Sequence, residues 1–459
     1  MEEVSKDNVS VENTKKTKKY PLIIAISSVF LAIIVILTGM LCIFANNLKT
    51  EERNVFSCGL VAVRTQEGWG YMNTKGELVI DAQFEEAHPF SNNGLALVFL
   101  DGNYGFINTK GKYVVNPTYI EAKSFEDDAE LTVVKKNGKY GYIDDEGDEE
   151  IPCQFDEAHS FYSDLALVRQ GGKYGFIDDD GKFEINPIYD KAFDFNEKGI
   201  GAVGKNIDGV LKFAIINEEG KLLSEFVYRN VLIGENRIFA YDGEFFYFYN
   251  LKMKQLFKTQ YQIAGMEFGG IVLDPLANLD EKLIAFRNNE NKYGFLNLKG
   301  EVAIPAEYDI IGNFSNGLAR VKKDGKYGFI NKNNEMIIEN KYDFVNDFVN
   351  GYAIVTVDYL YGLINTEGKF VMDVKYTNLG NVYNDICYFK TAEQTAFGYY
   401  NVNKEEVINA KQYSQISESI GVYNCSDDGY IVVKQGEYLG VINKKGEYII
   451  NPQLYDINF

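Results

Sequence analysis

The chain is 459 residues long and 46% hydrophobic, with 33 Tyr, 32 Phe and a formal net charge of −20. That much apolar and aromatic side chain excludes global disorder. The 66 acidic residues outnumber the 46 basic ones, and no basic stripe is interleaved with aromatics, so a nucleic-acid partner is not expected. Five Cys lack CxxC spacing and only two His are present, so neither a disulfide framework, a zinc site nor another cofactor is predicted.

Residues 1–20 end in Lys15, Lys16, Lys18 and Lys19 and are predicted to be a cytoplasmic tail. Residues 21–45 then run for 25 positions without a charged side chain. As a helix this segment spans roughly 37 Å, enough to cross a bilayer with some tilt. The lysines before it orient it with the N-terminus inside and the long remainder outside. A cleaved signal peptide would want an apolar core of about 7–15 residues and a small-x-small site, whereas Ile43 stands two positions before Ala45. A lipoprotein signal would want small residues before Cys42, where Met40 and Leu41 sit. An uncleaved single-pass anchor follows, with the lipid bilayer as its partner and residues 46–55 as a linker.

From residue 56 onward one pattern recurs. A large apolar residue precedes Gly, and Asn or Asp follows three positions after the Gly. The copies are Trp69-Gly70 with Asn73 and Gly76, Tyr104-Gly105 with Asn108 and Gly111, Tyr140-Gly141 with Asp144, and Tyr174-Gly175 with Asp178. Further on come Tyr293-Gly294, Tyr327-Gly328, Tyr361-Gly362, Phe397-Gly398 and Leu439-Gly440, with Ala214 and Tyr247 in the glycine slot of two degenerate copies. Eleven copies spaced by 33 to 47 residues define a repeat protein.

Each copy reads as β. Residues 165–170 alternate as a first strand, Gly171-Gly172 is a tight turn, and residues 173–178 form a second strand. Gly175 lacks a side chain on one face, where a ring from the neighbouring unit is expected to pack. Asn/Asp-x-x-Gly then marks a hairpin turn, as at Asp178–Gly181. A third strand runs to Pro187, with Pro117, Pro152, Pro305 and Pro452 at matching places, where proline is expected to stop pairing or mark an edge. Aromatic–acid pairs follow at Tyr189-Asp190, Tyr308-Asp309, Tyr342-Asp343 and Tyr455-Asp456. Phe90, Phe125, Phe161, Phe195, Phe314 and Phe348 each lie twenty positions past the glycine slot and are predicted to build the core between units.

The predicted fold is therefore an all-β repeat array of about eleven antiparallel meander units of roughly 35 residues, preceded by one transmembrane helix. Repeats 1–6 occupy 56–250, an irregular insertion or joint 251–282, and repeats 7–11 occupy 283–459. An open, curved, solenoid-like array is expected, with two β-propellers as the alternative.

The aromatic–Gly dipeptide, the Asn/Asp-x-x-Gly turn, the later Pro and the Tyr-Asp pair resemble the bacterial WG-repeat (KWG) family over roughly residues 56–459. Trp69-Gly70 is the one copy with the family's tryptophan; the others carry Tyr, Phe or Leu. The resemblance implies a β-repeat protein of the bacterial envelope or a secreted one, and brings no general catalytic residues with it.

His88 and His159 occupy one repeat slot, which holds Lys123 and Phe193 in other copies, so neither is expected to act as a ligand or general base. The acidic clusters Asp144-Asp145-Glu146 and Asp178-Asp179-Asp180 fall in turns, and the second lacks the alternating ligands and distal Glu of a calcium loop. The expected function is a surface-displayed binding or scaffold protein, not an enzyme, whose partner is a protein or a cell-wall glycan. The periodic aromatics are read as core, and any exposed copies as a sugar-stacking face. A carboxylate-dependent, glycosidase-like envelope hydrolase and an extracellular sensor are the alternatives.

Overall fold

A computed structural model describes residues 54–126, 129–162, 164–264, 282–391, 397–413, 426 and 428–459. The predicted anchor at 21–45 lies outside them, as do residues 265–281 of the predicted joint. Among the described residues no helix is long and apolar enough to cross a membrane, and all regular structure is β.

Among the described residues the strands form ten antiparallel sheets, none of which closes into a barrel. In every unit but the fifth, where Ile200–Ile207 and Val210–Asn217 are followed only by single bridges, three strands pair as a meander. In the fourth unit Leu165–Gln170 pairs with Lys173–Ile177, which pairs with Phe183–Tyr189. A short fourth strand, here Lys191–Phe193, pairs forward with the first strand of the next unit, Ile200–Ile207. One residue, Asp190, separates the third strand from this short strand. In the ninth unit the two merge into a single ten-residue strand, Phe370–Leu379, which pairs on both sides and fuses two units into one seven-stranded sheet. Eight of the ten described sheets thus borrow their first strand from the unit before them.

This borrowing makes the units interdependent. The first strands are buried on both faces, because alternate side chains serve two different cores. Leu165 and Leu167 pack into the junction with the fifth unit, while Ala166 and Val168 pack into the junction with the third. The predicted phenylalanines complete these junctions by packing on the aromatic residue that follows the glycine. Ring centroids lie 4.8 Å apart for Tyr71–Phe90, 5.0 Å for Tyr142–Phe161, 4.6 Å for Phe176–Phe195 and 4.7 Å for Phe329–Phe348.

Against the expectation of an open row, the two ends of the repeat region share a sheet. The last strand, Asp456–Asn458, pairs with the first, Leu60–Arg64, in the register Val63↔Ile457. Tyr455 donates its backbone N–H to Arg64 O, the bond that Asp190 makes to Gly204 O and Asp343 to Thr356 O inside the array. Val55, Phe56, Val61, Val63 and Met72 join Val441, Ile450 and Ile457 in one buried cluster. The physical reason is the borrowed strand. Leu60–Arg64 and Asp456–Asn458 each present an edge of backbone that the other satisfies.

The stretch predicted as an irregular joint contributes strands Gln255–Thr259 and Gln262–Ile263. Phe248, Phe257 and Ile263 pack with Ile284 and Phe286 across it in one core cluster.

Candidate functional site

The repeat residues predicted from the sequence lie on the second strands and have local structural roles. Gly175 does not face a ring of the next unit, as expected from the sequence, but the backbone of its own third strand. Tyr174 pairs with Tyr189 and Phe176 with Ile185, so two extra residues bulge from the third strand opposite Gly175. A Cβ on Gly175 would sit 2.5 Å from Ile185 O and 2.7 Å from Pro187 N. Gly70, Gly105, Gly141 and Gly294 face the same bulge, formed by Ile80–Ala82, Val115–Pro117, Ile151–Cys153 and Ile304–Ala306, and Gly328 and Gly362 lie against Ile338–Asn340 and Met372–Val374. Of the two expectations for proline, it does not stop the third strand but does mark an edge: that strand is the outer one of its sheet, and the proline sits inside its bulge, where no ladder hydrogen bond is required of it. The aromatic before each glycine pairs across the bulge: Trp69 with Phe84, Tyr104 with Tyr119, Tyr140 with Phe155, Tyr293 with Tyr308, Tyr327 with Tyr342 and Tyr361 with Tyr376. In the last unit Leu454 takes this place and Tyr455 the acid's, one residue earlier than the Tyr455-Asp456 alignment.

The turn residues behave as predicted. Asn73 Oδ1 accepts the N–H groups of Lys75 and Glu77, and Asn108 Oδ1 those of Lys110 and Lys112. Asp144 and Asp178 make the same turn contacts, to Glu146 and Asp148 and to Lys182. Gly76, Gly111 and Gly181 adopt φ near +76°, the left-handed conformation glycine favours. Gly181 also lies against Ile151 of the preceding unit, 2.9 Å from where its Cβ would be.

A second layer of the motif went unread in the sequence. The Lys two positions before the glycine binds the acid that follows the aromatic of the third strand: Lys139–Asp156, Lys173–Asp190 and Lys326–Asp343 each lie at 2.5 Å, and Lys292 binds Asp309 likewise. These lysines hold Asp156, Asp190 and Asp343 below the usual carboxylate range. The Lys–aromatic–Gly spacing was the available signal.

The short strands carry the more varied polar residues. Glu86-Ala87-His88, Glu121-Ala122-Lys123 and Glu157-Ala158-His159 occupy matching places in three successive units. Glu121 is bound by Lys135 and by the Tyr140 hydroxyl, each at 2.6 Å. Glu157 is bound by Arg169 at 2.5 Å and the Tyr174 hydroxyl at 2.8 Å. Lys135 and Tyr140 draw the Glu121 carboxyl down; burial pushes Glu157 up, but Tyr174 and Arg169 outweigh it. His159 Nδ1 lies 3.0 Å from Asp194 Oδ2. His88 is held below the usual imidazole value by burial, against an upward pull from Glu86. Between the third and fourth units these strands border an open cavity of about 260 Å³, lined by Glu121, Lys123, Val133, Tyr140, Glu157 and His159. The structure thus brings His159 to this cavity's wall. Among the described residues burial raises one carboxyl, Asp347, opposed by Arg320 at 3.0 Å, at a different junction. No group of three or more His, Cys, Asp or Glu among the described residues is arranged to hold a metal ion.

Seven copies match the family described as WG containing repeat, four in a row at residues 69–104, 104–140, 140–174 and 174–206, and three in a row at 293–327, 327–361 and 361–392. The chain belongs to the WG-repeat family. The matched segments begin at the aromatic of each dipeptide, so the family's unit is the bulge-and-turn hairpin described above. No curated protein matches the sequence. Among solved structures, the crystal structure of the eukaryotic initiation factor shares 10% identity over 87% of this chain and 96% of its own, with a TM-score of 0.40. Kluyveromyces lactis Hsv2p shares 9% identity over 54% of this chain and 94% of its own, with a TM-score of 0.27. The tricorn protease shares 12% over 84% and 44%, with a TM-score of 0.20. Likeness this distant carries no functional information.

Proposed function

We propose that this WG-repeat chain is a membrane-tethered binding scaffold, displayed outside the cell by the apolar segment 21–45, whose array engages an envelope glycan or protein without catalysis. The observation that carries the reading is the division of labour within the unit. The motif residues hold strands, turns and junctions, while the short-strand side chains change from unit to unit, as in Glu86-Ala87-His88 against Ile310-Ile311-Gly312. A constant frame with variable projecting groups suits recognition along a surface.

The glycosidase-like alternative gains nothing from the cavity. That chemistry wants one carboxyl held protonated beside an ionised one, and Glu121 and Glu157 are both drawn toward the ionised form. The test is capture of the purified full chain, in detergent, on an array of envelope polysaccharides, with reducing-end release followed in parallel. Saturable capture without release supports the scaffold. Release of reducing ends, or no capture of glycan or envelope protein, overturns it.

A further inference from the structure

We propose that the cavity between the third and fourth units is a binding site for a sugar-sized organic anion, with the Lys123 ammonium and the His159 imidazole as the groups that meet its phosphate or carboxylate. The inference rests on the scaffold reading and names the chemistry of one subsite.

The cavity holds two acids and two basic groups, and what distinguishes them is which are already engaged. Glu121 is satisfied by Lys135 and Tyr140, and Glu157 by Arg169 and Tyr174, so each acid is neutralised from its own sheet. Lys123 makes no ion pair among the described residues; its amine reaches only Ser160 Oγ, at 3.5 Å. His159 is oriented through Nδ1 by Asp194, which leaves Nε2 as the ring's other hydrogen-bonding atom. The uncommitted polar groups are therefore a cation and an imidazole, carried by adjacent short strands. A ligand that brought its own cation would have to displace Lys135 or Arg169, whereas an anion needs to displace nothing.

Size and wall chemistry narrow the ligand further. About 260 Å³ is several times the ~30 Å³ share of a water molecule, so a bare inorganic ion would leave the cavity mostly empty. Val133 and the Tyr140 ring supply an apolar wall for a carbon skeleton. The chain's net charge of −20 does not forbid an anion here, because charges beyond about 10 Å are screened at 0.1 M salt. The equivalent slot of the next unit holds Phe193, in ring contact with Phe213 at 5.7 Å, so the site does not recur there.

The experiment is calorimetric titration of the full chain in detergent with three probes of one size: glucuronate, glucose 1-phosphate and glucose. Both anions are expected to bind and glucose to bind at least tenfold more weakly. Lys123→Gln is expected to weaken both anions by roughly tenfold, the low end for losing a charge-assisted hydrogen bond. His159→Gln should weaken them less, and Lys110→Gln, on an exposed turn, should not change them. Preference for one anion tells a carboxylate from a phosphate ligand. Equal binding of glucose, unchanged affinity in Lys123→Gln, or no binding of either anion overturns the proposal. Polymer capture with no dependence on Lys123 would sink this site alone. Anion binding lost in Lys123→Gln without capture of any polymer would sink the scaffold reading and leave the site.

Discussion

Replacing the glycine of one dipeptide tests the account of the unit most directly. In Gly175→Ala the new Cβ meets Ile185 O at 2.5 Å and Pro187 N at 2.7 Å, both backbone atoms of the opposing bulge. Ordinary carbon contacts begin near 3.4 Å, so the second and third strands must part by most of an ångström, or the bulge must flatten. Overpacking of this kind costs about 1–3 kcal/mol. Alanine returns about 0.5–1 kcal/mol by restricting the unfolded chain. A net loss of about 1–2 kcal/mol is expected in the fourth unit. Because each unit touches only its neighbours, the loss should appear first as local opening. Limited proteolysis under mild guanidinium should cut Gly175→Ala near residues 180–190 well before the parent chain. Gly138→Asn serves as the control, since Gly138 adopts φ +78° with nothing within 4 Å, and Asn tolerates that conformation. Equal resistance of Gly175→Ala and the parent would refute the proposed role of the bulge.

Ile457→Asp places a charge in the buried cluster that joins the last strand to the first, and should expose residues 55–65 and 440–459 to protease while the central units resist; uniform resistance would mean the chain ends do not hold one another. Asn297→Ala removes the acceptor for the N–H groups of Lys299 and Glu301 and should cost about 1 kcal/mol, as loss of a comparable cap does, measured by the guanidinium midpoint. Stability should also fall on acidification. Asp156, Asp190 and Asp343 are held below their ordinary value of 3.8, so their contribution is present above that value and is lost as pH drops through their lower folded values. His88, held below 6.5 by burial, removes stability over the range below 6.5, where the unfolded chain binds the proton first. Guanidinium midpoints should decline from pH 6.5 and decline further below about 4, the second loss being small because these are surface ion pairs; a midpoint that rises on acidification would contradict both assignments.

Much of the unit was legible in the chain because it rests on local chemistry. The Asn/Asp-x-x-Gly turn needs only a side-chain acceptor and a residue that tolerates positive φ, and both are visible at Asn73–Gly76. The phenylalanines twenty positions past the glycine were legible as core because one repeat slot keeps one environment. The histidines were rightly read as occupants of a repeat slot. That His159 borders a cavity depends on Lys123 and Glu121, a unit away, and spacing alone does not report that.

Two features belonged to tertiary structure alone. Period-two alternation shows that Gly175 lies opposite Tyr174 and Phe176, but not what faces it, because a bulge changes the partner strand without changing the glycine's own. Nor does repetition reveal whether the first and last units meet. Eleven similar segments specify ten similar junctions in any arrangement, and the eleventh, between Val63 and Ile457, depends on the small rotation added at each step. The sequence by itself determined the unit and its order; the accumulated geometry of packing decided that the last short strand completes the first sheet.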